Sequence, residues 1–381
     1  MAQDQYIEPV ASRKPLSWFS RVVFFFNWFA IISLLCADVA PWVNPERIWP
    51  FAFLGLIQPA LIVVNFLFLL YWLFRRKRQI FYSLAVILIS LMHFNRQYQI
   101  SFGDQEAAPE KSVRLMSWNV KLFDLYNWSG NKETREKMFN IIRSEDPAVL
   151  CLQEFFSEDA GTFRNLDTLK SMLGYSAATA YTITLRKTDH WGVATFSRYP
   201  IVNEGRIVFN NRSNNICLYT DIAINDDTIR VYNVHLQSIN FGYADIRFVK
   251  TMLSEEDAEN EMENSKNILR RMKHAYGRRA RQANAIAEHI HNCPYPVVIC
   301  GDFNDTPVSY TYQVLSSGMK DAFRESGSGF GKTFENPLPV PRIDYILHSE
   351  NLQSFQFKTI TTEGLSDHFP VICNLGTGNA H

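Results

Sequence analysis

Polar side chains recur where apolar runs end in this 381-residue chain. Ser117-Trp118-Asn119 closes one run, Gln153-Glu154 a second and Asn233-Val234-His235 a third. Gly301-Asp302-Phe303-Asn304-Asp305 closes a fourth, Asp344 lies within Arg342-Ile343-Asp344-Tyr345, and Ser366-Asp367-His368 precedes the last. A strand end holds a side chain rigidly at a rim, so residues of this kind can converge on one site. Their chemistry is coherent. Glu154 with Asp302 or Asp367 supplies hard oxygen ligands that suit Mg2+ or Mn2+ and not zinc. His235 and His368 can neutralise or protonate a phosphoryl group, and Asp344 can fix a histidine tautomer and raise its basicity. Asn119 and Asn304 offer neutral donors to a phosphate oxygen. No GxSxG nucleophile motif occurs. The set points to metal-assisted attack of water on a phosphoester.

Strands must carry these ends. Val113–Trp118 and Val149–Gln153 read as buried strands, with Lys132–Arg143 between them in helical charge spacing. Gly192–Ser197, Ile216–Ala223, Ile229–His235, Pro296–Cys300, Ile343–His348 and Phe369–Asn374 are further strands, and Asn165–Leu173 and Lys266–His291 are helices. Strands dominate without a simple βαβ period, which predicts a packed α/β or α+β sandwich over 112–375. Six scattered cysteines form no CxxC or Cys/His cluster, so they read as buried small hydrophobes.

SWNV at 117–120, LQE at 152–154, NVH at 233–235, GDFN at 301–304, RIDY at 342–345 and SDH at 366–368 stand in the order found in one family. Residues 112–375 resemble the endonuclease/exonuclease/phosphatase superfamily, kin of deoxyribonuclease I, abasic-site endonucleases, neutral sphingomyelinases and inositol-polyphosphate phosphatases. The resemblance implies a four-layer α/β sandwich, two mixed sheets packed face to face with helices outside. It implies Glu154 as principal metal ligand and Asn119 as the Asn that helps position metal and phosphate. By the same likeness Asp302 orients or deprotonates the attacking water, and Asn304 contacts phosphate. His368 contacts the scissile phosphate with Asp344 as its carboxylate partner, Asp367 is a metal-side carboxylate, and His235 matches the extra histidine of the nuclease and lipid branches. Water activation by the Asp or by the His–Asp pair both fit. One position departs: where some members carry an acidic ligand two residues after the first Asn, this chain has Lys121, which either favours a single-metal site or contacts substrate phosphate.

The first hundred residues differ in kind. They hold nine basic and four acidic side chains, leaving 29 and 34 beyond, so a zero net charge is the sum of +5 and −5. Residues 22–95 carry only seven charges, which excludes a single soluble domain. Val22–Ala37, Ile48–Phe74 and Gln79–Asn95 are uncharged apolar runs of 16, 27 and 17 residues. A helix needs about 20 residues to cross a bilayer, fewer where flanking side chains snorkel. Three transmembrane helices over 1–100 are therefore expected, with Trp18, Trp28 and Trp42 at interfaces. Arg13, Lys14 and Arg21 precede the first run and Arg75, Arg76, Lys77 and Arg78 follow the second. The positive-inside rule puts both groups in the cytosol and everything after about residue 100 outside it. Residues 101–111 read as a linker.

The expected substrate is a lipid headgroup or other small phosphoester at the membrane. Tyr243, Phe241 and Phe248, just after the His235 strand, add apolar reach. The alternative is a membrane-anchored nuclease. A net acidic catalytic unit speaks against it, because nucleic-acid binding draws on Lys and Arg, although Arg278, Arg279 and Arg281 could form a local patch. Glu255–Glu263, with six acids in nine residues, and Lys266–Arg281, with seven Lys/Arg, read as a solvated helix or a face against headgroups.

Overall fold

The computed structural model describes residues 16–99, 107–209, 215–239, 258–335 and 342–377. The Phe241, Tyr243 and Phe248 cluster, residues 255–257 of the acidic stretch and most of the expected linker lie outside them. The N-terminal part holds α1 (Trp18–Val39), α2 (Pro50–Leu56), α3 (Gln58–Phe74), α4 (Ile80–Ser90) and the short α5 (Phe94–Gln97). With the 3-10 turn that follows α1, Trp18–Trp42 forms an apolar helix of 25 residues, long enough to cross a membrane.

The Ile48–Phe74 run is not the single straight span that its length suggests. It breaks into α2 and α3, which meet at 70°. Pro59 sits in the first turn of α3, where its missing N–H costs nothing, and it cannot serve the turn before. The third run contributes only the shorter helix Ile80–His93.

These helices bury polar groups and expose large apolar ones. Trp72 Nε1 donates to Asn27 Oδ1 (2.8 Å), and Asn27 Nδ2 donates to Ser83 Oγ (2.9 Å), tying α1, α3 and α4 together. Gln58 Nε2 and Ser90 Oγ both donate to the Asp38 carboxylate. Phe25, Phe29 and Phe74 meanwhile point outward, 71%, 70% and 82% exposed. The helices thus pair through polar contacts and turn large apolar side chains outward.

The rest is built from β1 (Val113–Asn119), α6 (Thr134–Glu145), β2 (Val149–Glu158), α7 (Asn165–Leu173), β3 (Ser176–Leu185), β4 (Asp189–Ser197), β5 (Ile201–Ile207), β6 (Ile216–Ile224) and β7 (Asp227–His235). It continues through α8 (Ala258–His291), β8 (Val297–Asp302), α9 (Tyr310–Leu315), β9 (Met319–Asp321), α10 (Ala322–Ser326), β10 (Asp344–Ser349), β11 (Leu352–Thr359) and β12 (Val371–Thr377). One six-stranded sheet runs β11-β12-β1-β2-β4-β3 and the other β5-β6-β7-β8-β10-β9. Each is antiparallel except at its middle, where β1 pairs parallel with β2 and β7 with β8.

Three apolar layers give the expected four-layer sandwich. Val149, Cys151, Val231, Val298 and Ile346 fill the space between the sheets. Met138, Phe139 and Ile142, on one face of α6, cover the first sheet at Leu150, Leu152 and Phe196. Ala283 and Ile286 of α8 cover the second at Tyr232, Val234 and Ile299. Each such fully buried aliphatic or Phe side chain contributes about 1.5–3 kcal/mol. Cys151, Cys217, Cys300 and Cys373 are buried free thiols within these layers, as expected of small hydrophobes, whereas Cys36 and Cys293 are only partly buried.

Candidate active site

The parallel strand pairs place their C-terminal ends on one side of the sandwich. Asn119 ends β1 opposite Gln153 of β2, with Glu154 next along, and His235 ends β7 opposite Asp302 at the end of β8. Local backbone geometry then aims the side chains. Glu154 has φ +46° and lies where the pairing of β2 with β4 slips between Leu152 and Phe155. Such a bulge turns a side chain out of strict alternation. At Gly301, with φ +134°, a Cβ would fall 2.1 Å from the Val234 carbonyl oxygen, so only glycine lets β8 close on β7 there.

Asp302, 1% exposed, is the hub. Its Oδ1 accepts from the Asn304 backbone N–H (2.8 Å). Its Oδ2 accepts from Asn119 Nδ2 (3.1 Å) and Asn304 Nδ2 (3.0 Å). Asn119 Nδ2 also reaches Glu154 Oε1 at 3.3 Å. The His235 and His368 Nε2 atoms face Asp302 Oδ2 at 3.8 and 3.7 Å. On its other edge His368 Nδ1 lies 3.0 and 3.1 Å from the two Asp344 oxygens. Phe334 packs its ring 4.8 Å from that of His368.

Burial sets the electrostatics. It would push His368 down, but Asp344 and Asp302 outweigh it and hold the imidazole up at about 10. Burial pushes His235 down, with Asp302 only partly opposing, so this imidazole is neutral near pH 7. Burial also raises Asp302 to about 6, against the pull of His368, and raises Glu154.

Asp367 stands apart from the hub, its Oδ2 3.1 Å from Lys121 Nζ. Lys121 opens a turn in which Lys121, Leu122, Phe123 and Asp124 all have φ between +43° and +57°. Left-handed backbone costs roughly 1–2 kcal/mol per residue. Phe123, fully buried against Phe139 and Phe155, anchors the turn and offsets part of that cost.

The structure thus brings Asn119, Glu154, His235, Asp302, Asn304, Asp344 and His368 into one recess, with Asp367 beside it under Lys121. It adds residues that the sequence reading passed over. Gln153 Nε2 donates to Asn233 Oδ1 (2.7 Å) across the two sheets, directly behind Glu154 and His235. Thr333 Oγ1 accepts from the Ile343 and Asp344 N–H groups, both at 3.1 Å. Trp118 Nε1 donates to the His368 carbonyl (3.0 Å). Gln153, Asn233 and Trp118 belong to the quoted motifs, so a polar atom inside an apolar strand was the available signal.

The recess fits a hard cation. Glu154 Oε1 and Asp302 Oδ2 share one neutral donor, and His235 Nε2, 3.7 Å from Glu154 Oε1, is buried with no hydrogen-bond partner. Oxygen donors with uncompensated negative charge are what Mg2+ and Mn2+ take. Ligand atoms of Asp302, Asp344 and His368 also lie within 4.8 Å of one another. A protonated imidazole bonded to Asp344 has no free lone pair, however, so His368 serves there as a donor.

The endonuclease/exonuclease/phosphatase family profile matches residues 116–368. The chain belongs to this family. Members of the endonuclease/exonuclease/phosphatase family are hydrolytic phosphoesterases and generally need a divalent metal. A second profile, a domain of unknown function (DUF8431), matches residues 20–97. No curated protein matches the chain. Among solved structures, an endonuclease/exonuclease/phosphatase from Beutenbergia cavernae is 18% identical, aligned over 71% of this chain and 72% of its own, with TM-score 0.50. An endonuclease/exonuclease/phosphatase family protein from Leptotrichia buccalis is 16% identical over 69% and 99%, TM-score 0.49. The human Nocturnin catalytic domain, with bound sulfate, is 18% identical over 71% and 96%, TM-score 0.49. At these identities the likeness bears on the fold alone.

Proposed function

We propose that the chain is a multi-pass membrane protein in which a 1–100 anchor and a 101–111 linker carry a 112–375 phosphoesterase. Its substrate is a lipid headgroup or another small phosphoester at the bilayer surface. One observation supports the membrane-substrate reading: the helical segment packs directly on the catalytic part, at segments a few residues beyond Asn304 and His235. Gly55 of α2 faces Val308 so closely that a Cβ would lie 2.6 Å from its carbonyl oxygen. Ala52 packs with Met272 and Tyr276 of α8, and Ile239 joins them. Val308 follows Asn304 in the chain, and Ile239 follows His235. The catalytic part is thereby held against helices whose exposed apolar side chains suit lipid.

The nuclease alternative leaned on Arg278, Arg279 and Arg281. Arg279 is fully buried, with Nε 3.0 Å from Asp305. Arg281 pairs with Glu46, and Arg278 donates to Gln237 Oε1 (3.2 Å). Arg279 is thereby withdrawn from the patch, while Arg281 remains 52% exposed, so the patch is reduced and the lipid reading is favoured.

In the mechanism, Glu154 would be the principal ligand of Mg2+ or Mn2+, with Asn119 beside it and Asp367, now paired with Lys121, on the metal side. Such an ion would supply Lewis-acid stabilisation of the phosphoryl charge and a more acidic water. His368, held cationic by Asp344, presents Nε2–H to a phosphoryl oxygen. Asn304, whose amide donates to Asp302 Oδ2 and to the Leu236 carbonyl, would turn the latter N–H to another phosphoryl oxygen. Asp302, titrating near 6, is matched to take the proton of the attacking water, and neutral His235 can share it. The basic residues at 13–21 and 75–78, read by the positive-inside rule, favour an orientation with the catalytic part outside the cytoplasm. A test is the full chain in phosphatidylcholine vesicles with Mg2+, offered sphingomyelin, phosphoinositides, p-nitrophenyl esters, RNA and plasmid DNA. Rapid DNA cleavage with untouched lipids and small esters would discard the lipid reading.

A further inference from the structure

Arg342 is a charged side chain with no exposed surface. Its Nη1 and Nη2 donate to the two oxygens of Asp321 at 2.9 and 2.7 Å. Its Nη2 also donates to the main-chain carbonyl of Arg96, at 2.8 Å, in the α5 segment that ends the apolar helices. The guanidinium is stacked between Phe323 and Tyr345, 4.5 and 4.6 Å from their centroids. Arg342 thereby joins three parts: β9, the helical segment and the strand that begins with Asp344.

The chain from Arg342 to Asp344 is held by bonds to its neighbours. Its carbonyl accepts from Tyr345 Oη (3.0 Å), which also donates to the Asp305 carbonyl (2.8 Å). Phe303 N–H donates to the Ile343 carbonyl (2.9 Å), and Thr333 caps the next two N–H groups. Two residues on, Asp344 holds His368. The helical segment grips the same region at a second place. Gln99 and Gly329 exchange a pair of main-chain hydrogen bonds of 3.0 and 2.8 Å. Tyr98 packs on Phe330 at 5.2 Å, in the loop that leads to Thr333 and Phe334. Arg96 Nη1 donates to Gln313 Oε1 (2.9 Å).

We propose that Arg342 is a positioning residue through which the N-terminal helical segment holds Asp344 and His368 in register with Asp302. The helices are then part of the catalytic scaffold as well as an anchor. Lysine keeps the charge beside Asp321 but cannot span both Asp321 and the Arg96 carbonyl, because an ammonium lacks the planar fork. The junction acts on the geometry of groups that meet the transition state, so its loss lowers turnover and leaves substrate binding largely intact.

This inference rests on the phosphoesterase reading. The test uses the full chain in detergent with Mg2+ and bis(p-nitrophenyl) phosphate. Gln99→Pro removes the N–H that bonds Gly329 and touches no residue of the recess, so it addresses the junction from the helical side. Arg342→Lys and Arg342→Met address it from the catalytic side. The expected result is a kcat at least tenfold lower in Gln99→Pro and Arg342→Lys with KM within twofold of the parent, and a larger loss in Arg342→Met. If either arginine variant does not fold, Gln99→Pro decides. A folded Gln99→Pro with kcat within twofold of the parent overturns the proposal, as does a loss expressed in KM alone. A parent chain inactive on every phosphoester instead sinks the functional reading itself.

Discussion

The Lys121 ammonium lies 3.1 Å from the Asp367 carboxylate. A positive charge thus occupies the place where some relatives are expected to carry a further acidic ligand, and it draws Asp367 toward itself. Both side chains are about a third exposed, at 34% and 37%, so the pair contributes little to stability, within about 1 kcal/mol. Its effect is on the cation instead. Lys121→Ala is expected to leave thermal unfolding nearly unchanged while lowering the Mg2+ concentration for half-maximal activity by about two- to tenfold, since a repelling charge worth roughly 0.4–1.4 kcal/mol is gone. A metal titration of activity reads this directly. A higher Mg2+ requirement would assign Lys121 a role in binding substrate phosphate.

His368 gives a pH dependence with a definite sign. Its folded pKa, about 10, stands above the ordinary 6.5, so its pairing with Asp344 and Asp302 stabilises the fold fully below 6.5. That contribution is lost as pH rises through the window from 6.5 to about 10. In metal-free protein, denaturant unfolding at pH 6, 8 and 10 should show a falling contribution across this range. Asp344→Asn removes the strongest support of the cation and should flatten the trend. A trend of the same slope in Asp344→Asn would show that another group produces it.

The amide bridge between the sheets should matter more than any surface pair. Gln153 and Asn233 are fully buried, and Asn233 Nδ2 also donates to the Ala194 carbonyl (2.9 Å). Gln153→Leu leaves the Asn233 Oδ1 acceptor unpaired and is expected to cost about 1–3 kcal/mol. Equilibrium urea unfolding measures it. A change under 0.5 kcal/mol would mean that water or a shifted neighbour replaces the bond.

Topology is open to a reporter. Fusions after residue 76 and after the last residue, in the full chain, should report opposite sides of the membrane, with residue 76 cytoplasmic. The same side for both would mean that Ile80–His93, too short to pass as a span by length, does not cross.

Much of the fold and site was legible because the central strands are buried on both faces. β1, β2 and β8 are largely apolar runs, β7 is buried over its second half, and the polar residues at their C-terminal ends became the recess. The outer strands were not legible. β5 alternates poorly and is mostly exposed, β3 is partly exposed along its length, and β11 is bent by a shift in pairing between Phe355 and Lys358. An edge strand takes its order from a neighbour's backbone more than from its own pattern. The break at Pro59 carried a sequence signal, yet unbroken hydropathy masked it. Arg342 was quoted only as part of a motif. Its link to Arg96 spans 246 positions and is a property of tertiary packing alone.

The most direct test of the central claim compares the full chain with its Glu154→Gln variant on bis(p-nitrophenyl) phosphate, in Mg2+ and in EDTA. The account predicts hydrolysis by the parent that EDTA abolishes and Mg2+ restores. It also predicts a rate at least about a thousandfold lower in the variant, equivalent to about 4 kcal/mol of lost transition-state stabilisation. Hydrolysis that persists in EDTA, or that survives Glu154→Gln unchanged, would contradict it.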